Sequence, residues 1–240
     1  MKQYKLVISM FLSATLLSPV TFAHTLMKDA VPATTYNWTG YYVGLNAGGV
    51  KQTMNITDNQ ASSFNATLQQ ASDLAFTGGI QVGYRRQLDL GSASGVFGLE
   101  FSANSSNVSY HQKYGSSFAL YHLASEFDLN NYALLQLMGG IAADRTLLFL
   151  AAGLSWVSIS GSIVNLDTIP FFHSFNVDKR IVGTAFGGGI EHACTDKISV
   201  RFKVDVMTPS SYTVSDGTGN NFRISNSIVQ GTVGVNYKFA

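Results

Sequence analysis

Nine charged side chains are the residues of this sequence whose types and spacing could do chemistry. They share one property: each occupies the polar side of a segment in which apolar and polar residues alternate. The set comprises Arg85, Glu100, Glu126, Asp128, Glu191, Arg201, Lys203, Asp205 and Lys238. Alternation with a period of two indicates a strand with one polar face. Charges enclosed behind such a face need partners, because an unpaired buried charge is costly. We therefore expect an interior ion-pair network, with Glu191 paired to Arg201 or Lys203, or alternatively a narrow ion path lined by the same residues.

A run of three glycines at Gly187, Gly188 and Gly189 could indicate a phosphate-binding loop. Such a loop requires a strand before it and a helix after it, and the surrounding pattern is strand on both sides. We interpret the run as small residues on an interior face, leaving room for a bulky neighbour such as Arg201.

The N-terminus is typical of a secretory signal. Residues 1–23 contain Lys2 and Lys5, then an apolar run over residues 6–17, then a small residue at Ala23. The run is too short for a membrane-spanning helix, which needs about 20 residues. Cleavage removes two of the 15 Lys and Arg, so 13 remain against 14 acidic residues, a formal charge of −1. This balance argues against nucleic acid as a partner. We expect residues 24–36 to be a flexible mature N-terminus and residues 37–240 to form the folded domain.

Eight segments show strand patterning. They are residues 41–49, 74–88, 97–104, 121–138, 145–158, 179–192, 198–206 and 227–239. The last segment is the clearest, with apolar residues at odd positions from Val229 to Phe239 and polar or small residues between them. Segment 145–158 is nearly all apolar, so its facing is ambiguous; we favour an outward orientation for Leu148, Leu150, Ala152, Leu154 and Trp156. A strong terminal strand predicts closure against residues 41–49, which leaves no open edge.

The connections between these segments alternate in length. Long polar stretches at 51–73, 105–120, 159–178 and 208–221 predict loops, and short turns separate the other strands. Alternating long loops and short turns are typical of an eight-stranded antiparallel outer-membrane β-barrel, with the loops outside the cell. A soluble lipocalin-like barrel would instead put the apolar face inward. The low charged content of 12% and the aromatic residues near strand ends favour the membrane protein and a bacterial outer-membrane location.

Three stretches resemble the small porin family of outer-membrane proteins, within the OmpA-like eight-stranded barrels. These are residues 38–48 (WTGYYVGLNAG), residues 182–201 with the glycine run, and residues 233–239 (VGVNYKF). The last stretch is similar to the signal that the barrel-assembly machinery reads, with Tyr237 and Phe239 as its aromatic residues. Ala240 departs from that pattern, because the final residue is usually the aromatic itself. The resemblance implies no single activity: members serve as surface antigens, adhesins, complement-evasion factors or envelope stabilisers.

Histidine near serine could indicate a lipid A deacylase, which uses a Ser, His and acidic triad. His122 lies near Ser125 and Glu126, and His173 precedes Ser174. A triad is defined by geometry and not by closeness in sequence, and neither segment matches the His-x-Ser-Asn arrangement of those enzymes. The histidines also lack metal-ligand spacing. We therefore expect no catalytic centre, no cofactor and no metal.

Aromatic residues in the long polar stretches could contact a protein or glycan partner. They are Phe64, Tyr114, Phe118, Phe171, Phe172 and Tyr212. Exposed aromatics on loops suit recognition, although self-packing or an aromatic girdle would explain them equally. The sequence thus predicts a monomeric, non-enzymatic barrel that stabilises the envelope, contacts outer-membrane lipid and lipopolysaccharide, and presents four loops. The alternatives are an adhesin for a host or environmental ligand, a narrow pore, or a lipid A-modifying enzyme.

Overall fold

The chain folds as a single antiparallel sheet closed into a barrel. The computed structural model describes residues 36–58, 67–71, 74–89, 94–115, 122–165, 175–215 and 221–239. The predicted signal at residues 1–23 and residues 24–35 of the predicted N-terminus lie outside these ranges. The strands are β1 (Gly40–Asp58), β2 (Thr67–Ala71), β3 (Ala75–Asp89), β4 (Ser94–Gly115), β5 (His122–Ala143), β6 (Thr146–Asn165), β7 (Phe175–Ala193), β8 (Ile198–Pro209), β9 (Tyr212–Ser215) and β10 (Asn221–Lys238). Within the described residues, no helix has the length and hydropathy needed to span a membrane.

Eight of these strands form the wall. β1 pairs with β3 on one side and with β10 on the other, from Tyr42 opposite Lys238 to Asp58 opposite Phe222. The predicted closure of the last strand onto residues 41–49 is therefore confirmed. β2 and β9 are short; β2 pairs with the outer part of β1 and β9 with the outer part of β10.

The outward face of the barrel is apolar along the middle of every wall strand. Its exposed large side chains include Leu45, Ile80, Leu99, Leu137, Leu150, Phe186, Phe202 and Val233. A soluble barrel would hide these side chains inside, and their exposure is stable only in contact with lipid. The soluble lipocalin-like alternative is therefore excluded. The outward orientation of residues 148–156 is confirmed, since Leu148, Leu154 and Trp156 are exposed while Leu147 and Phe149 are buried.

The two ends of the barrel differ. We call the end where residues 144–145 and 194–197 connect strands the turn end, and the opposite end the loop end. The chain also enters at Tyr36 and leaves at Phe239 near the turn end, where the Phe239 amide donates to the Tyr41 carbonyl at 2.9 Å. The short turns identify this end as the periplasmic one.

The four long polar stretches are not loops throughout, which corrects their predicted extent. β1 continues to Asp58, β4 to Gly115 and β6 to Asn165, while β7 begins at Phe175. Beyond the lipid, the outer face of a strand contacts water, so the alternation of apolar and polar residues that reveals the wall fades. Backbone pairing continues there without that signal, and the strands extend past the lipid-facing band toward the loop end.

A bulge in β5 changes which residues face inward. The register between β4 and β5 shifts between Ser105 and Val108, and that between β5 and β6 shifts at Leu129 and Asn131. One extra residue reverses the alternation on the far side of a bulge. Leu129 is consequently fully buried, although the uninterrupted pattern predicts that it faces outward.

Candidate functional site

The barrel interior contains a bidentate ion pair between Arg85 of β3 and Glu191 of β7. The two guanidinium nitrogens donate to the two carboxylate oxygens at 3.0 and 2.8 Å. Glu191 also accepts from the Ser199 hydroxyl at 2.5 Å and from the Asn236 amide at 2.9 Å. The Arg85 guanidinium lies 4.1 Å from the centroid of the Tyr42 ring, which adds a cation–π contact.

Glu100 of β4 is the centre of a second group of charges. It accepts a hydrogen bond from the Arg201 guanidinium and another from Lys203 Nζ at 3.1 Å. The Tyr42 hydroxyl donates to the same carboxylate at 2.5 Å. Because Tyr42 contacts both Arg85 and Glu100, it connects the two ion-pair groups into one network.

Asp205 of β8 extends this network toward the loop end. It lies 3.3 Å from Lys203 Nζ and accepts from the side-chain amides of Gln136 at 2.9 Å and Gln230 at 2.8 Å. Gln230 in turn accepts from the Tyr132 hydroxyl at 2.5 Å. Neutral amides and hydroxyls therefore supply hydrogen bonds to Asp205 that the charged residues alone do not provide.

We call these six charged residues the interior charge network: Arg85, Glu100, Glu191, Arg201, Lys203 and Asp205. All six are at most 3% exposed, and their three cations balance three carboxylates. Gly187 faces this layer: a Cβ there would lie 2.2 Å from Asp205 Oδ1, and one at Gly189 would approach Phe149 and the backbone of Lys203. Gly187 and Gly189 thus make room for Asp205 and Phe149, where Arg201 was expected as the bulky neighbour. Contrary to the prediction, Gly188 is not on the interior face, since a Cβ there would approach the outward-facing Leu150.

An aromatic plug, formed by Tyr36 and Trp38, closes the interior at the turn end. Trp38 is 2% exposed, and its ring packs edge to face against the ring of Tyr36, with 4.6 Å between the two centroids. The backbone amide of Trp38 donates to the side-chain carbonyl of Gln87 at 2.8 Å. Phe149 and Leu147 belong to the same apolar cluster. Burial raises the pKa of the Tyr36 hydroxyl. Because Tyr36 is itself buried, only 5% exposed, it is part of the packed barrel, which corrects its assignment to a flexible N-terminus.

A second apolar group fills the interior on the loop-end side of the charges. We call it the outer apolar layer; it consists of Val50, Met54, Val108, Leu129, Tyr132, Leu134, Val157, Ile159, Ile181, Ala185, Met207, Ile224 and Ile228. Most of these side chains have no exposed area at all. The charge network is therefore enclosed between two apolar layers.

The structure places six of the nine predicted charged residues together and separates three. Lys238 lies at the turn end, where Nζ donates to the Asn37 carbonyl and lies 4.3 Å from the Tyr36 ring centroid. Asp128 is half-buried beside the β5 bulge and joins no ion pair among the described residues; it pairs with Ser109, far along the strands toward the loop end from the charge network, where Gln136 pairs with Glu100. The side chain of Glu126 lies outside the described part of the chain. The pairing also differs from the prediction, since Glu191 pairs with Arg85 from the opposite side of the barrel.

Most of the remaining candidates fall outside the described residues. The side chains of Phe64, Tyr114, Phe118, Phe171 and Phe172 do, and so do those of His111, His122 and His173. Tyr212 is described, and it packs against the outer apolar layer with Lys179 Nζ 5.2 Å from its ring. This packing is what the self-packing alternative predicts for Tyr212. Among the described side chains, no group of three His, Cys, Asp or Glu residues is arranged to hold a metal ion.

Several neutral members of the interior were not singled out from the sequence. Tyr42 connects Arg85 to Glu100, Gln136 connects Lys203 to Asp205, and Gln230 connects Asp205 to the Tyr132 hydroxyl; all three are buried. Their positions alternate in step with the apolar residues of their strands, so the period-two pattern already assigns them to the inner face. Their roles as bridges depend on contacts across the barrel, which the pattern does not contain.

These observations define a class of protein: a closed, antiparallel transmembrane barrel with a lipid-facing exterior and a filled interior. The family described as outer membrane protein beta-barrel domain matches residues 20–239, and the chain belongs to it. The protein is therefore located in the bacterial outer membrane, and its predicted membership of the small outer-membrane barrels is confirmed.

Comparison with individual proteins supports the same assignment. The chain is 25% identical, over 96% of each sequence, to the 31 kDa outer-membrane immunogenic proteins of Brucella melitensis and Brucella suis. Two solved structures have a similar fold. Escherichia coli outer membrane protease OmpT has a TM-score of 0.53 at 10% identity, covering 83% of this chain and 97% of OmpT. Pseudomonas aeruginosa OprG has a TM-score of 0.51 at 12% identity, covering 85% of this chain and 97% of OprG.

Proposed function

We propose that this protein is a non-enzymatic, non-conducting barrel that strengthens the outer membrane and presents its extended strands and loops at the cell surface. The observation that carries this proposal is the filled interior, in which the charge network lies between the aromatic plug and the outer apolar layer. Ions crossing the barrel would have to displace side chains such as Leu134 and Ile228, which have no exposed area. Such an interior suits rigidity better than passage.

Surface presentation is supported by the strands that extend past the lipid. β4 and β5 remain paired as far as Gly115 opposite His122, so these two strands extend well past the lipid-facing band toward the loop end. The relatives in Brucella are described as immunogenic, which agrees with exposed outer segments. An adhesin role for the connections is a second candidate supported by the same extension.

Planar-bilayer recording tests the non-conducting barrel. We expect no unitary current from purified protein at any voltage, and stable channels would contradict the proposal. A bacterial porin of known conductance, recorded in the same bilayer, verifies that the assay detects narrow pores, and the double variant Leu134→Ser/Ile228→Ser should also give no current, because the charge network and the aromatic plug still fill the interior.

Deletion of the gene in its own host tests the envelope role. We expect increased sensitivity to bile salts and vancomycin, restored by the wild-type protein. A version whose connections at 59–66 and 166–174 are replaced by Gly-Ser segments should restore resistance equally well. The adhesin role is correct instead if the deletion strain keeps an intact envelope but adheres less to the cells that the bacterium colonises. In that case the version with Gly-Ser segments should also fail to restore adhesion.

A further inference from the structure

A crevice of about 820 Å³ lies in the barrel wall where β8 and β9 meet β10. The pairing of β8 with β7 ends at Pro209 opposite Gly183. Its pairing with β10 ends at Met207 opposite Ile228, and β9 resumes only at Tyr212 opposite Ile224. Proline cannot donate a hydrogen bond to a sheet, so the wall is interrupted at this position. The lining includes Leu154, Val182, Thr184, Pro209, Arg223 and Asn226.

The position of the crevice relative to the lipid is given by the outward-facing residues. On β7, Val182 is the last apolar residue on the outer face and the next residue on that face is Arg180. Trp156 of β6 pairs with Val182 and faces outward, as aromatic residues do at membrane interfaces. The crevice therefore lies at the headgroup level of the outer leaflet.

The rim of the crevice is basic. Arg223 lines the crevice, is exposed and donates to the Ser211 hydroxyl at 3.0 and 3.2 Å, and Arg180 is exposed on the outward face of β7 two residues beyond the lining residue Val182. The nearest exposed carboxylate on β7 is that of Asp178, two residues beyond Arg180 on the same face of the strand. Arg180, Arg223 and Asp178 together therefore carry a net positive charge. Arginine binds phosphate oxygens through several N–H donors at once.

A buried polar side chain at the back of the crevice is weakly satisfied. Asn226 is 4% exposed, and its Oδ1 accepts from Gln52 Nε2 at 3.3 Å, while its Nδ2 interacts with the Tyr212 hydroxyl without forming a close hydrogen bond. A buried donor without a close acceptor costs free energy. An acceptor oxygen entering the crevice would satisfy it.

We propose that this crevice binds the phosphorylated glucosamine headgroup of lipid A in the outer leaflet. A phosphate would contact Arg180 and Arg223, a sugar or ester oxygen would accept from Asn226, and an acyl chain would pass along Leu154 and Val182. The volume accommodates one phosphorylated sugar and the start of its chains. Met207, Ile224 and Ile228 close the interior behind the crevice, so the lipid binds at the wall and does not enter the barrel.

Native mass spectrometry of the full-length mature barrel tests this site. The probes are bisphosphorylated lipid A, dephosphorylated lipid A and phosphatidylglycerol at equal concentrations. We expect the bisphosphorylated lipid A to bind about tenfold more tightly than either other lipid, and the Arg180→Gln/Arg223→Gln variant to lose about tenfold in its affinity. Lys197→Gln removes an exposed cation at the turn end and should leave binding unchanged.

Heat-modifiable migration on a gel verifies that each variant is folded. Because both arginines are exposed, we expect the double variant to fold like the wild-type protein. Equal binding of phosphorylated and dephosphorylated lipid A would overturn the role of the phosphate. Equal binding of phosphatidylglycerol would overturn the assignment to lipid A, and unchanged affinity in the double arginine variant would overturn the site.

Discussion

Arg85 and Glu191 form a bidentate ion pair across the barrel interior although 106 residues separate them in the chain. Neither side chain is more than 4% exposed. β3 and β7 are not neighbours in the sheet, so no backbone hydrogen bonds join them. The contact between Arg85 and Glu191 links these two strands through side chains alone. This pair, together with Glu100 and its partners, makes the interior a framework that holds opposite walls together.

Removing one member of the pair should strongly destabilise the barrel. We expect Glu191→Ala to lower the free energy of unfolding by about 3–5 kcal/mol, because the Arg85 guanidinium remains buried without its counter-charge. Urea unfolding in lipid vesicles, followed by loss of heat-modifiable migration, measures the change. The double variant Arg85→Met/Glu191→Leu should recover much of the loss.

The exposed pair of Arg145 and Asp196, at 2.7 Å, is a matched control for this prediction. Asp196 is 86% exposed, so Asp196→Asn should change stability by less than about 1 kcal/mol. A similar loss of stability in Glu191→Ala and Asp196→Asn would show that the buried Arg85–Glu191 pair contributes no more to the free energy of unfolding than an exposed ion pair does.

Gly187 should be intolerant of any side chain. A Cβ at this position would lie 2.2 Å from Asp205 Oδ1 and 2.6 Å from the Val204 carbonyl. Gly187→Ala should therefore cost about 1–3 kcal/mol through displacement of β8 and of the charge network. Gly231→Ala is the control, because nothing lies within 4 Å of a Cβ there. The unfolding assay should show little loss for Gly231→Ala, and equal effects of the two variants would refute the packing argument.

Truncation of leucine should have different effects on the two faces of β5. Leu129 has no exposed area and belongs to the outer apolar layer, whereas Leu137 is 68% exposed toward lipid. Leu129→Ala leaves a cavity and should lower stability by about 2–5 kcal/mol. Leu137→Ala should cost less, because lipid chains fill the space. If Leu137→Ala lost more stability than Leu129→Ala in the same urea series, the position of the bulge, or the assignment of the two faces of β5, would be wrong.

The two tryptophans should report opposite environments. Trp38 is buried in the aromatic plug, and Trp156 is 38% exposed on the lipid face. In vesicles containing brominated phospholipid, we expect strong quenching in the Trp38→Phe variant, whose emission comes from the lipid-facing Trp156. We expect weak quenching in the Trp156→Phe variant, whose emission comes from the buried Trp38. Fluorescence titration with the brominated lipid measures both. Strong quenching of Trp38 would mean that residues 36–39 lie outside the barrel.

The wall of the barrel was predictable in large part because its signal is local. A strand between lipid and a polar interior must alternate apolar and polar residues, and residues 198–206 and 229–239 do so without a break. The same rule placed Glu100, Glu191 and Arg201 inside. It failed at Leu129 and Asp128, because one inserted residue reverses the faces and leaves no mark in the pattern.

The sequence by itself therefore determined the eight wall strands, their lipid-facing sides, the closure of the last strand onto the first, and the enclosure of the charges. Only the tertiary structure decided which charges pair, because contact across the interior depends on strand tilt, stagger and bulges summed around the whole barrel. It also decided that Tyr36 and Trp38 plug the turn end, that strands continue into the polar stretches, and that Pro209 interrupts the wall. These features arise between segments distant in the chain, where no local periodicity records them.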